Sequence, residues 1–99
     1  MSYLDDLKEV IYRTHGAKAT HRESVPVKET WQGKTVWEGV VEVFDLHDHP
    51  EANTAYAWGH DTEQGSKRHV AVLHVPPVVS PITAVRAAIV QELRDAQTA

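Results

Sequence analysis

The stretch VPVKETWQGKTVWEGVVEVFDL, residues 25–46, decides how the chain folds. Apolar and polar residues alternate on both sides of Gln32 and Gly33, which is typical of two β-strands joined by a tight turn. Gly33 can adopt the positive φ that such a turn needs. A three-residue loop would pair odd positions with odd positions and gather the apolar residues on one face. We therefore predict a β-hairpin with a three-residue loop.

A helix is predicted on each side of the strands. Residues 3–15 carry an apolar stripe at helical spacing, and Gly16 can end this helix in the left-handed conformation. Residues 81–96 carry a second stripe, preceded by Ser80 as the N-cap. The polar, unpatterned residues 17–23 indicate a linker between the first helix and the hairpin.

Two further strands are predicted at residues 53–62 and 67–75. The second of these strands is apolar on both faces, which is typical of a strand inside a sheet or at an interface. The order of one helix, four strands and one helix predicts a single α+β domain over residues 1–99. We expect a four-stranded antiparallel sheet with both helices on one face, in a two-layer sandwich.

Composition and charge exclude several classes of partner. The 99-residue chain has a net charge of −4, and its 10 lysines and arginines are scattered. Nucleic-acid binding draws on clustered positive charge, so no DNA or RNA partner is expected. No cysteine offers a disulfide or a thiolate ligand, and no apolar run is long enough to span a bilayer. We expect a cytoplasmic protein without a secretory leader or a membrane partner.

The first candidate site is the sheet face that the helices leave open. Small residues at Ala55 and Ala57 would let the helices approach one face, so the aromatic residues between them would point to the other. The candidate interface residues are Val40, Phe44, Tyr56, Trp58 and Val72. A sheet that is apolar on both faces needs a protein layer on each of them. We therefore predict a homodimer, sheet against sheet or edge against edge. The open face is also expected to bind a protein or a small apolar ligand. In the alternative, a helix covers the aromatic face and the alanines face solvent.

The second candidate site is a metal centre in FDLHDHPEA, residues 44–52. Residues at alternate positions of an extended chain face the same way, so two imidazoles and a carboxylate would meet there. The candidate ligands are Asp45, His47, His49 and His60, with His74 as a substitute for the last. Such a set suits a divalent metal such as zinc and metal-assisted hydrolysis. The competing interpretation is a polar exit from a strand that Pro50 ends, and no other cofactor is predicted.

Catalysis without a metal finds little support in the sequence. Ser24, Ser66 and Ser80 are the serines that a hydrolytic triad could use, but none lies in a Gly-x-Ser-x-Gly elbow. The chain also has no glycine-rich loop of the kinds that bind nucleotides. The sequence therefore favours a binding role over an enzymatic one.

Two resemblances involve longer stretches. The element order and SPITAVRAAIVQEL, residues 80–93, resemble a double-stranded-RNA-binding domain. That resemblance implies phosphate-binding lysines at the start of the last helix, and residues 80–83 include none. Residues 25–46, 49–58 and 80–89 are similar to short uncharacterised bacterial proteins of the integron type, carried on mobile gene cassettes. This second resemblance implies no activity and no site residue.

Overall fold

The computed structural model describes residues 2–61, 65 and 67–98, and it has the predicted α+β order of elements. The elements are α1 (Tyr3–His15), β1 (Lys18–Trp31), β2 (Lys34–His47), β3 (Thr54–Asp61), β4 (Lys67–Leu73) and α2 (Pro81–Thr98). The four strands form an antiparallel sheet in the order β1-β2-β3-β4. The class, the two helices and the four-stranded antiparallel sheet are therefore confirmed.

The predicted linker at residues 17–23 is wrong, because most of it belongs to β1. The register between β1 and β2 shifts between His21 and Glu23, so that Arg22 is an extra residue in β1. Such a β-bulge moves the following side chains to the opposite face of the sheet. The alternation of apolar residues breaks at the same point, which explains why the sequence looks unpatterned there.

The β1–β2 turn has two residues rather than the predicted three. Gln32 and Gly33 both have positive φ, at 51° and 78°, as a type I′ turn requires. A second register shift beside Thr30 then restores the pairing of odd with odd positions, so Val25 lies opposite Val41. The predicted face of the hairpin is therefore present, although the bulge rather than the turn produces it.

The two helices cover opposite faces of the sheet, which differs from the expected two-layer grouping. We call these the α1 face and the α2 face. The core on the α1 face consists of Leu7, Ile11, Ala17, Phe44, Leu46, Ala55 and Ala57. The core on the α2 face consists of Val27, Val41, Val43, Tyr56, Trp58, Val78, Ala84 and Val85. Both faces of the central strands are apolar, and burying each of them requires its own helix.

The hydrogen-bonded ladder between β2 and β3 is short, and beyond its end a tyrosine side chain accepts a backbone hydrogen bond from β3. Pairing runs only from Glu42 opposite Ala57 to the ends of the two strands at the 48–53 loop. The N–H of Gly59 would continue the ladder, but it donates to the hydroxyl of Tyr3 at 2.6 Å. A Cβ on Gly59 would lie 3.1 Å from the Tyr3 ring, so glycine permits this close approach. The start of α1 is thereby fixed to β3.

Replacing Tyr3 with phenylalanine should loosen this junction. The change removes the acceptor of the Gly59 N–H and should cost about 1 kcal/mol of unfolding free energy, the usual net value of one hydrogen bond. Amide exchange of Gly59, followed by NMR, should become faster. Tyr12→Phe is the matched control, because Tyr12 is 56% exposed on the same helix. Unchanged Gly59 exchange in Tyr3→Phe would show that the hydroxyl does not hold this amide.

Candidate functional site

The aromatic residues predicted on an open sheet face are buried inside the domain. Phe44 is 0% exposed and lies on the α1 face. Tyr56 and Trp58 are 4% and 2% exposed and lie on the α2 face. The open aromatic face is therefore absent, and these three residues form parts of two separate cores.

The register between β2 and β3 explains the correction. Phe44 lies opposite Ala55, and Val43 lies opposite Tyr56. Paired residues share a face in an antiparallel sheet, so Phe44 joins the alanines and Tyr56 joins the valines of β2. The alternative in which a helix covers the aromatics holds for Tyr56 and Trp58, but a second helix covers the alanine face as well.

The other two predicted interface residues remain partly accessible. Val40 is 46% exposed on the part of β2 that pairs with β1 alone. Val72, on β4, is half-buried and lines a groove beside α2. Of the predicted set, Val72 alone lies in a described groove near the edge of the sheet.

Three of the four predicted metal ligands each contact a different protein group. Asp45 accepts hydrogen bonds from the Arg22 guanidinium, and the Nε2 atom of His47 lies 2.7 Å from the hydroxyl of Thr20. His49 Nδ1 accepts the backbone N–H groups of residues 51 and 52, both at 3.1 Å. The side chain of His60 lies outside the described residues. Across the described ranges, no group of three or more His, Cys, Asp or Glu residues is arranged to hold a metal ion.

The ligands diverge because β2 ends before the last of them. The strand ends at His47, and Asp48 adopts a positive φ of 62°. The alternation that would place His49 beside Asp45 is lost at this point. The stretch 44–52 is therefore a strand exit, as the competing interpretation expected.

A network of hydrogen-bonded polar side chains lies on the α2 face, beside the ends of β2 and β3 at the 48–53 loop. The Arg22 Nε donates to Asp45 at 2.8 Å, and its Nη2 donates to the Thr54 hydroxyl at 3.0 Å. The hydrogen bond with Asp45 raises the pKa of Arg22 above its ordinary value. Nearby, the Tyr56 hydroxyl lies 2.6 Å from His74 Nδ1, and burial raises the pKa of Tyr56. Each of these polar groups has a protein partner, which favours a structural role for the network.

A serine, a histidine and a carboxylate also meet on the α1 face, but not in the order of a hydrolytic triad. The buried carboxylate of Glu42 accepts hydrogen bonds from the Ser24 hydroxyl and, at 2.9 Å, from His21 Nε2. A triad needs the histidine between the nucleophile and the carboxylate. Here the carboxylate lies between the other two groups, so the cluster gives a buried carboxylate two hydrogen-bond donors rather than activating Ser24.

A groove runs between α2 and β4 and is the best candidate for binding. Its volume is about 280 Å³, and its lining is largely apolar. The lining residues are Arg68, Val70, Ala71, Val72, Ala87, Ala88, Gln91 and Glu92. The small side chains of Ala87 and Ala88 on α2 leave space beside β4, so the groove is open along the edge of the sheet. We call it the β4–α2 groove.

A larger groove, of about 470 Å³, lies between α2 and the segment that precedes this helix. It is lined by Pro77, Val78, Thr83, Arg86, Ala87, Val90, Gln91 and Arg94. It combines apolar and basic side chains, but none of its lining residues belongs to a described strand. It therefore offers no sheet-edge N–H or C=O groups with which an extended chain could pair.

The backbone of β4 faces outward at every second residue along the β4–α2 groove. The His74 N–H donates to the Thr54 carbonyl of the β3 segment at 2.9 Å. Backbone direction alternates along an antiparallel strand, so His69, Ala71 and Leu73 point their N–H and C=O groups away from β3. None of these three N–H groups has an acceptor in the part of the chain that the structure describes.

Two of the outward carbonyls on β4 are already in use. The Ala71 carbonyl accepts from His15 Nε2 at 3.1 Å, and the Leu73 carbonyl accepts from the Val75 N–H at 2.9 Å. A carbonyl oxygen has two lone pairs and can accept a second hydrogen bond. Among the described residues, the edge of β4 is therefore a row of N–H groups without acceptors, and its carbonyl groups can each accept a further hydrogen bond.

The opposite edge of the sheet is protected against pairing. Strand β1 carries the bulge at Arg22, a proline at Pro26 and exposed charges such as Lys28. Bulges, prolines and charges are the features that prevent a strand edge from pairing with another chain. Between Val70 and Leu73, β4 has none of them.

No family model, no curated protein and no solved structure matches this chain. The similarity to integron cassette proteins therefore stays a prediction. Within the described residues, no helix is long and apolar enough to cross a membrane.

Proposed function

We propose that the chain is a binding domain that takes up an extended protein segment by strand addition at β4. The observation that carries this proposal is the row of outward N–H groups at His69, Ala71 and Leu73, which lack acceptors among the described residues. In strand addition, main-chain hydrogen bonds supply affinity, and pockets for alternate side chains supply specificity.

The β4–α2 groove supplies the second half of this recognition. A strand paired with β4 would place every second side chain on the α2 face, beside Val70 and Val72. Most residues that line the groove are valines and alanines, so it suits small or β-branched apolar side chains of the bound segment. Arg68 and Glu92 border the same groove and can pair with polar residues of the bound segment.

Replacing Ala71 with proline tests the proposal directly. Proline removes an outward N–H but no ladder bond to β3, which is the position where an edge strand tolerates it. Random peptides displayed on phage would be selected on the immobilised protein and their affinities measured by calorimetry. We expect the selected peptides to lose at least about tenfold in affinity for Ala71→Pro, since one hydrogen bond contributes about 1 kcal/mol and the ring hinders approach.

Ala71→Ser is the matched control, because it keeps both the N–H and a small side chain. The control should bind the selected peptides as the unchanged protein does, and the amide NMR spectrum of each variant checks that the sheet is intact. Peptides that bind Ala71→Pro as tightly as Ala71→Ser would place their site elsewhere. Failure to select any peptide on a protein that sediments as a monomer would also count against strand addition.

A further inference from the structure

We infer that the strand added at β4 is β4 of a second copy of this chain. The inference rests on the proposed function, because it names the partner of the same edge. Two copies would pair antiparallel about a twofold axis at Ala71 and join their sheets into one of eight strands. This is the edge-against-edge form of the homodimer, since helices cover both sheet faces.

The backbone of β4 is complementary to itself about Ala71. The outward residues His69, Ala71 and Leu73 are spaced symmetrically around that position. In an antiparallel pair centred there, Ala71 bonds to Ala71 of the second copy, and His69 bonds to Leu73 of the second copy. Every outward N–H then meets a carbonyl, and the two carbonyls in use accept a second hydrogen bond.

The side chains of β4 are also complementary in this register. Val70 falls directly opposite Val72 of the second copy, on the α2 face and within the β4–α2 groove of each copy. Pairs of β-branched residues are favourable across strands. On the α1 face Ala71 lies at the axis, directly opposite Ala71 of the second copy. The apolar character of both faces of β4 is that of an inner strand, which β4 becomes in the dimer.

Charge selects the antiparallel direction over the parallel one. Arg68 lies at the start of β4, and a parallel pair in register would bring the two arginines together. In the antiparallel pair centred on Ala71 they are about 20 Å apart, from six residues at the usual rise per residue. That separation exceeds the Debye length of about 8 Å at physiological salt, so their repulsion is screened.

Cysteine cross-linking tests the register, because the natural sequence contains no cysteine. Val70→Cys and Val72→Cys proteins would be prepared separately, mixed under reducing conditions, oxidised with glutathione disulfide and separated by non-reducing electrophoresis. In the proposed pair these positions form a non-hydrogen-bonded couple with Cα atoms about 4.5 Å apart, within the range of a disulfide. Each position lies about 8 Å from its own copy across the axis, which is too far.

The mixture should therefore give a covalent dimer, up to about half of the protein if partners exchange at random, and each variant alone should give little. Sedimentation of the unchanged protein at tens of micromolar should show a dimer, and Ala71→Pro should shift it to monomer. Equal cross-linking in the mixture and in the single variants would overturn the register. A monomer that still binds phage-selected peptides, with sensitivity to Ala71→Pro, would overturn the second copy and leave strand addition intact. A monomer that binds no peptide would overturn both.

Discussion

Replacing Phe44 with alanine is expected to lower the free energy of unfolding by about 3–5 kcal/mol, the usual cost of truncating a buried phenylalanine. Phe44 is fully buried on the α1 face with Leu7 and Ile11 of α1. Its ring also packs edge to face against His21, with 5.4 Å between the ring centroids. The truncation leaves a cavity that rigid neighbours on the sheet cannot fill, so the loss of contacts adds to the loss of apolar burial.

Urea unfolding followed by circular dichroism measures this effect. Val40→Ala is the matched control, because Val40 lies on the same strand and is 46% exposed. The control should change the unfolding free energy by less than about 0.5 kcal/mol, as surface substitutions usually do. If Phe44→Ala were as mild as Val40→Ala, Phe44 would not be part of the core, and the exposed face predicted from the sequence would be the better account.

Replacing Trp58 with alanine should have a comparable effect on the opposite face, again about 3–5 kcal/mol. Trp58 is almost completely buried on the α2 face, where its ring meets Trp37 edge to face at a centroid distance of 5.7 Å. Aromatic pairs of this geometry contribute about 0.5–1.5 kcal/mol beyond their burial. A double-mutant cycle of Trp58→Ala with Trp37→Ala should return a coupling free energy of that size.

Trp31→Ala is the control for this second experiment, since Trp31 is 68% exposed at the end of the hairpin. Its unfolding free energy should stay within about 0.5 kcal/mol of that of the unchanged protein. The sequence predicts Trp58 at a dimer interface, where truncation would shift the protein from dimer to monomer. That result, in place of a loss of stability, would contradict the buried position of Trp58.

The helices could be predicted from the sequence because local contacts set their ends. The Ser2 hydroxyl accepts the Asp5 N–H in a capping box, and Gly16 ends α1 with a φ of 71°. Both signals lie within a few residues of the helix they limit. The hairpin was visible for the same reason, although the choice between a two-residue and a three-residue loop depended on a bulge that alternation does not reveal.

The two sheet faces could not be assigned because that step depends on register between strands. Whether Phe44 joins Trp58 or opposes it is set by how the 48–53 loop aligns β2 with β3, including the positive φ of Asp48. No pattern within one strand contains this information. The bulge at Arg22 is hidden in the same way, since the polar residues around it are equally typical of a linker.

Only part of the candidate groove could be predicted from the sequence. The apolar character of both faces of β4 indicated an inner strand or an interface, and Val72 was among the predicted interface residues. That β4 is an edge strand follows from the strand order, which a pattern along the chain does not give. The outward direction of the Ala71 backbone then follows from the pairing with β3.

The bulge at Arg22 has a consequence for how the domain unfolds. Because side chains change face there, one continuous strand packs Ala19 against the core beneath α1 and Val27 within the core beneath α2. Melting of either core would therefore release a strand on which the other depends. We expect a single cooperative transition from this domain, with no intermediate in which one core survives alone.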